Sequence, residues 1–263
     1  MVPLTWDLWA TPALTSTSDP SVRSSRLDAV CLDANDPVLL ARFWAEALHW
    51  SINAETSDGI GLVATDDTKF RILFEPVPDK KIGQNRNHLD LTTTSIDDQN
   101  QTVRRLVELG ARHIDVGQDP DEPHVVLADP EGNEFCVIEP TNTFLADCGR
   151  LGAINCDGSR DAGYFWSAAL GWPLVWDQNE ETAIRAPDGT GPIITWSGPQ
   201  LKPKGGKNRL HLDIAPADCG DQRAEVDRLI SLGATRINLG RGDVSWVVMA
   251  DPDGNEFCVL TPR

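Results

Sequence analysis

Two short strings bring an imidazole, a carboxylate and a thiol into play, and each string occurs twice. Asn87-His88-Leu89-Asp90 and Leu210-His211-Leu212-Asp213 carry a histidine and an aspartate two residues apart. In an extended strand that spacing puts both on one face, about 7 Å apart at a ~3.3 Å rise per residue. Further along, Glu-Phe-Cys-Val supplies Cys136 and then Cys258. Imidazole, thiolate and carboxylate all bind zinc-type dications. A thiolate beside an imidazolium is also a usable nucleophile or base, whereas an unactivated buried thiol is only a small hydrophobe.

The elements that must position these groups are written as a repeat. Shifted by about 122 to 124 positions, the second half of the chain matches the first. Phe43-Trp44 through Trp50 lies over Phe165-Trp166 through Trp172, Leu109-Gly110-Ala111 over Leu232-Gly233-Ala234, and ADPEGNEFCVIEP over ADPDGNEFCVLTP. Within each copy the order β-α-β-β-β occurs twice. In the first copy, 28–33 alternates as a strand, and Asp36-Pro37 supplies an N-cap and an N1 proline. Leu39, Leu40, Phe43, Trp44 and Leu48 follow at helical spacing. Strands near 49–54, 60–65 and 70–75 complete the first module. A strand at His88–Thr93, a helix at Ile96–Leu109 stopped by Gly110, and strands near 112–116, 123–128 and 134–139 form the second. Helices near 161–170 and 221–232 repeat the order. In the Asp-Pro-Glu-Gly-Asn turn, Pro130 presets φ and Gly132 takes the positive-φ position, so the hairpin needs no chemical role to explain it.

The chain of 263 residues is 40% hydrophobic with a net charge of -17. That acidity excludes a nucleic-acid partner, which needs a basic face, and an anionic membrane surface. It leaves a neutral or cationic small ligand open, although solubility alone accounts for it. No apolar run approaches a membrane span. The first 26 residues hold Trp6 and Trp9 but no basic-then-apolar export signal. With no CxxC pair among six cysteines, the expectation is reduced thiols in a cytoplasmic protein, monomeric or homodimeric. The boundaries read as an arm at 1–26 and domains at 27–146 and 147–263.

Paired βαβββ modules, the DP(D/E)GN hairpin before the last strand and the NHLD-type strand start together resemble the vicinal oxygen chelate superfamily, its glyoxalase-like branch above all. That group includes glyoxalase I, bleomycin-resistance proteins and extradiol dioxygenases. The resemblance implies an α+β fold of tandem domains, each with curved mixed sheets around a cavity and helices outside. Metal-using members hold a divalent ion by one residue on the first and one on the last strand of each module, and the ion acts as a Lewis acid. Carried over within each copy, those positions fall at Ala29, Ile72, His88 and Cys136, then at Ala153, Ile194, His211 and Cys258. Each set keeps one imidazole and one thiol and lacks the usual carboxylates. Asp90 and Asp213 could supply a third ligand only through inward-bent rotamers.

Two readings follow. The first is a small-molecule-binding protein without the usual metal site, sequestering an aromatic or cationic compound. Its ligand would touch Ala29, Ile72, Phe74, His88, Asp90 and Cys136 in one cavity, and Ala153, Ile194, Trp196, His211, Asp213, Trp246 and Cys258 in the other. Phe74 and Trp196 are expected to face the cavities; the facing of His124 and Trp246 is left open. No cofactor is expected on this reading. The second is a lyase, isomerase or dioxygenase of the superfamily. It would use a divalent metal, or a Cys–His pair drawn from His88, Cys136, His211 and Cys258 as catalytic candidates. The pairing of modules, within or across copies, stays open.

Overall fold

The computed structural model describes residues 24–56, 59–198, 201–217, 220–238 and 244–262. The arm tryptophans Trp6 and Trp9, and Cys219, lie outside them. Four modules follow one another. The first is β1 (Ser25–Ala34), α1 (Pro37–Leu48), β2 (Ser51–Thr56), β3 (Gly59–Val63) and β4 (Arg71–Pro76). The second is β5 (Asn87–Leu91), α2 (Ile96–Glu108), β6 (Arg112–His113), β7 (Val125–Ala128) and β8 (Glu134–Val137). The third is β9 (Leu151–Cys156), α3 (Arg160–Leu170), β10 (Leu174–Gln178), β11 (Glu181–Ile184) and β12 (Ile193–Trp196). The fourth is β13 (Leu210–Pro216), α4 (Gln222–Ser231), β14 (Thr235–Arg236), β15 (Val247–Ala250) and β16 (Glu256–Val259). No helix among the described residues is long and apolar enough to cross a membrane.

Local chemistry sets these boundaries. The Asp36 carboxylate accepts from the Leu39 amide at 3.0 Å, and Pro37 opens α1. Ser95, Ser159 and Asp221 cap the other three helices in the same way. Each cap satisfies one of the amides that a helix start leaves unpaired. Gly110 takes φ 108° just beyond α2, as its sequence position predicts.

In every module the first strand pairs in parallel with the last, so both of its termini sit centrally. Modules then pair across the two sequence copies. β1 runs antiparallel to β13, giving sheet 1 in the order β14-β15-β16-β13-β1-β4-β3-β2. β5 runs antiparallel to β9, giving sheet 2 in the order β10-β11-β12-β9-β5-β8-β7-β6. Each eight-stranded sheet therefore joins one module of each copy.

One large core takes the helix-facing sides of both sheets. Trp44 of α1 packs edge-on to Phe135 of sheet 2 at 5.1 Å between ring centres, and Trp166 of α3 to Phe257 of sheet 1 at 5.0 Å. Burial of such rings dominates core energetics, at roughly 1.5–3 kcal/mol per fully buried large side chain. The hairpin turns are tied to the same rings. The Trp44 indole N–H donates to Asp129 at 3.2 Å, and the Trp166 N–H to Asp251 at 3.1 Å. Asn133 bonds back to Asp129 at 2.9 Å, and Gly132 takes φ 90°. The Asp-Pro-x-Gly-Asn string is thus a latch between a hairpin and a helix.

Candidate functional site

The chemistry gathers on the faces turned away from the helices. On sheet 2, β5 presents His88 and Asp90, and Asp90 stands directly beside Cys136 of β8 and opposite Ala153 of β9. His88 stands opposite Asn155, which is in register with Thr195 of β12. The His88 Nε2 lies 3.3 Å from Asp90 Oδ1, and the Asn155 amide donates to Asp90 Oδ2 at 3.4 Å. Ligand atoms of His88, Asp90 and Cys136 all lie within 4.8 Å of one another. Around this polar corner runs an apolar cluster that includes Val126, Ile138, Leu145, Ala153 and Ile193. Trp176 of β10 closes it at one side, in edge contact with Phe144 at 5.9 Å. Two buried oxygens on this face, Asp90 Oδ1 and Thr195 Oγ1, have no hydrogen-bond partner among the described residues. An unsatisfied buried polar atom costs about 1–3 kcal/mol, so two on one face mark a place prepared for something else.

Sheet 1 carries the related corner His211, Asp213 and Cys258, again with all three ligand atoms within 4.8 Å. Here Cys31 stands opposite His211 and beside Leu73, in the places that Asn155 and Thr195 hold on sheet 2. Both faces thus keep the histidine, aspartate and cysteine read from the sequence. Each corner, however, shares its sheet with the other copy's first module: Asp90 faces Ala153, and Asp213 faces Ala29. The within-copy sets are regrouped accordingly.

Four sequence expectations are corrected. Ile72, Phe74, Ile194 and Trp196 do not face the hollows; they are fully buried in the helix-side core. Ile72 stands beside Val30 and Ile194 beside Ile154, both core-facing positions. The last strand of the first module aligns one residue further along, so Leu73 holds beside Cys31 the place that Cys136 holds beside Asp90. A slip of one residue turns every side chain to the opposite face. The aromatic wall is Trp176 instead. The first copy has Ala54 at the equivalent position, so the repeat gave no signal for it. His124 and Trp246 precede β7 and β15, half-buried, and His124 Nδ1 lies 3.5 Å from Glu122.

The expected 7 Å gap between histidine and aspartate also closes, because a Cα spacing does not fix where two side-chain tips meet. The Cys–His pair fares worse. The charge that acts most strongly on each thiol is a carboxylate: burial first, then Asp90, pushes the Cys136 thiol well above its ordinary range, and burial and Asp213 do the same to Cys258. A negative neighbour disfavours the thiolate that nucleophilic chemistry needs.

Comparison with known proteins matches this fold. The family model described as glyoxalase-like domain matches residues 29–138 and again 153–260. Among solved structures, glyoxalase I from Zea mays superposes with a TM-score of 0.62 at 15% identity, covering 91% of this chain and 93% of its own. A candidate dioxygenase from Bacillus subtilis superposes with a TM-score of 0.56 at 13% identity, covering 91% and 86%. No curated protein matches the sequence.

Proposed function

The chain belongs to the glyoxalase-like domain family, and on that premise we propose that it is a small-molecule enzyme of the vicinal oxygen chelate type working on the far face of sheet 2. His88, Asp90 and Cys136 would hold a divalent ion there. The observation that carries the reading is the convergence of those three donors within 4.8 Å, with the buried Thr195 hydroxyl on the same face lacking a hydrogen-bond partner. Three protein ligands with an open position is the pattern of a catalytic rather than a structural zinc-type site. When bound, such an ion supplies Lewis-acid polarisation of a ligand oxygen.

The remaining residues have definable tasks. Asn155 fixes the Asp90 carboxylate through its second oxygen, the kind of outer support that orients ligating groups. The free Thr195 hydroxyl offers a hydrogen bond to a polar ligand on the same face. Trp176 and Phe144 wall the hollow and keep water from one side of the ligand. As a ligand, Cys136 would give up its proton to solvent, so affinity for the ion would rise with pH.

A second reading, sequestration of an aromatic compound without metal, is favoured by the Trp176–Phe144 wall alone. One experiment separates the two. Protein purified without chelators is assayed for bound zinc, iron, nickel and manganese, before and after His88→Gln. Metal held by the wild type and lost in the variant supports the enzyme. Metal-free protein whose Trp176 fluorescence is quenched by aromatic amines, unchanged by added Zn2+, supports sequestration.

A further inference from the structure

We infer that the corner between α1 and α2 binds a small tetrahedral oxyanion, a phosphate ion or the phosphate of a small ester, through Arg104, Arg105 and Arg150. This goes beyond the sheet 2 reading and does not depend on it. A hollow of about 400 Å³ opens there, walled by the three arginines and His49 together with the acids Asp98 and Glu108. Three arginines against two acids make a positive hollow on a chain of net charge -17.

Two of the guanidinium groups are fixed side by side. Arg105 Nη1 donates to the Glu46 carbonyl at 2.5 Å, and Arg150 Nε donates to the next one, that of Ala47, at 3.4 Å. Arg150 Nη1 also holds the Thr92 carbonyl at 2.8 Å, and Nη2 the Thr102 hydroxyl at 2.6 Å. Its side chain is only 16% exposed. Both arginines lie close enough to His49 to hold its imidazole, together with burial, below its ordinary value.

The repeat shows what such a corner holds when it is filled. In the second copy Arg228 stands at the place of Arg105 and donates to the Ala168 and Ala169 carbonyls, the counterparts of Glu46 and Ala47. Capping those carbonyls, which favour a cation at the helix end, therefore needs only one guanidinium. Its other donors go to a carboxylate: Glu225 accepts from Arg228 Nε at 3.0 Å and from Nη2 at 2.5 Å, and from the Ser25 hydroxyl as well. The first copy has Thr102 in place of Glu225, Arg104 in place of Asp227, and His49 in place of Gly171. Among the described residues neither Arg104 nor Arg105 has a carboxylate within 4.0 Å, and Arg150 reaches only Asp98, at 3.8 Å. Asp98 already accepts from the amide and hydroxyl of Thr94. The first copy thus lacks the internal anion and carries additional arginines. An oxyanion from solution fits the gap, since guanidinium forks match phosphate oxygens in pairs. Donors drawn from three side chains, rather than from one planar fork, suit a tetrahedral group.

The test uses the full chain, titrated with inorganic phosphate against sodium chloride at matched ionic strength. Calorimetry reads the binding, and the thermal midpoint reads it again, because a ligand of the folded state raises it. Saturable binding is expected, weakened about 10-fold or more by Arg105→Gln, as loss of a charged hydrogen-bond donor does. Thr102→Glu supplies the carboxylate that the second copy has and is expected to abolish phosphate binding. Arg104→Gln, on the exposed side of α2, is expected to weaken binding with the phosphate-free midpoint unchanged; this arm decides if either other variant fails to fold. Glycerol 3-phosphate distinguishes the sources: binding tighter than phosphate supports the site as one for an ester, and equal or weaker binding supports it as one for the free ion. No saturable response beyond the chloride control, or binding unchanged in Thr102→Glu or in Arg104→Gln, overturns the site.

Discussion

Asp129→Ala removes the latch of the first hairpin, and its effect can be worked from the contacts. The Asp129 carboxylate accepts four hydrogen bonds: from the amides of Glu131 and Asn133 at 2.9 Å each, from the Asn133 side chain at 2.9 Å, and from the Trp44 indole at 3.2 Å. The Glu131 amide can turn to water, but the Asn133 amide and the indole N–H are buried. Each orphaned buried donor costs about 1–3 kcal/mol, partly offset because a buried carboxylate is no longer desolvated, for a net loss of about 3 kcal/mol. Trp44→Phe deletes a single donor and costs about 1–2 kcal/mol. Since both substitutions break one shared bond, the double variant loses less than the sum by about 1 kcal/mol. Urea denaturation of the four proteins measures this cycle. Acidity supplies a second reading of the same variant. Burial lifts the Asp129 carboxyl above its ordinary range, so the folded protein takes up that proton at a higher pH than the unfolded chain does. Wild type therefore gains on Asp129→Ala as pH falls through the raised folded value toward the unfolded one, and the gap is narrowest at neutral pH. A loss under about 1 kcal/mol or strict additivity would refute the latch.

Gly163→Ala in α3 normally improves a helix, yet a methyl there would sit 1.9 Å from the Thr182 hydroxyl. The clash should win, lowering the denaturation midpoint by an amount equivalent to roughly 1–3 kcal/mol. Iodoacetamide on the native, metal-free chain at neutral pH is expected to label half-buried Cys148 before Cys136, Cys156 or Cys258, whose thiols burial holds protonated; peptide mapping reads the order. Thr195→Val should leave stability unchanged or slightly higher, because it removes an unpartnered buried hydroxyl, while weakening a polar ligand on sheet 2 by about 1 kcal/mol in a binding titration.

Much of this architecture was legible because it is written in short-range rules. Asp36-Pro37 and Gly110 mark helix ends through backbone geometry, and the Asp-Pro-x-Gly-Asn turn through φ, so these signals need no knowledge of the fold. The histidines and cysteines kept their face because a period of two carries along each strand. What failed was long-range. Carrying the family's ligand positions over chose Ile72 over Leu73, and nothing local distinguishes two apolar neighbours whose facing is set by the strand beside them. Cys31 was visible as a cysteine on an alternating strand, but only the β1–β13 register sets it opposite His211. Trp44 and Trp166 pack from their helices into the core; their bonds to Asp129 and Asp251 span 85 residues each and have no local signature.

The register that places Ser25 opposite Pro216 has a consequence during synthesis. β1 leaves the ribosome well before its antiparallel neighbour β13, with the whole of the second and third modules translated in between. At roughly 5–20 residues per second that is a wait on the order of ten seconds or more, with one side of the strand unsatisfied. Meanwhile β5 and β9, the opening strands of consecutive modules, can already zip together. Sheet 2 is therefore positioned to assemble on the nascent chain, and sheet 1 to close last, around its thiols, once the final module has emerged.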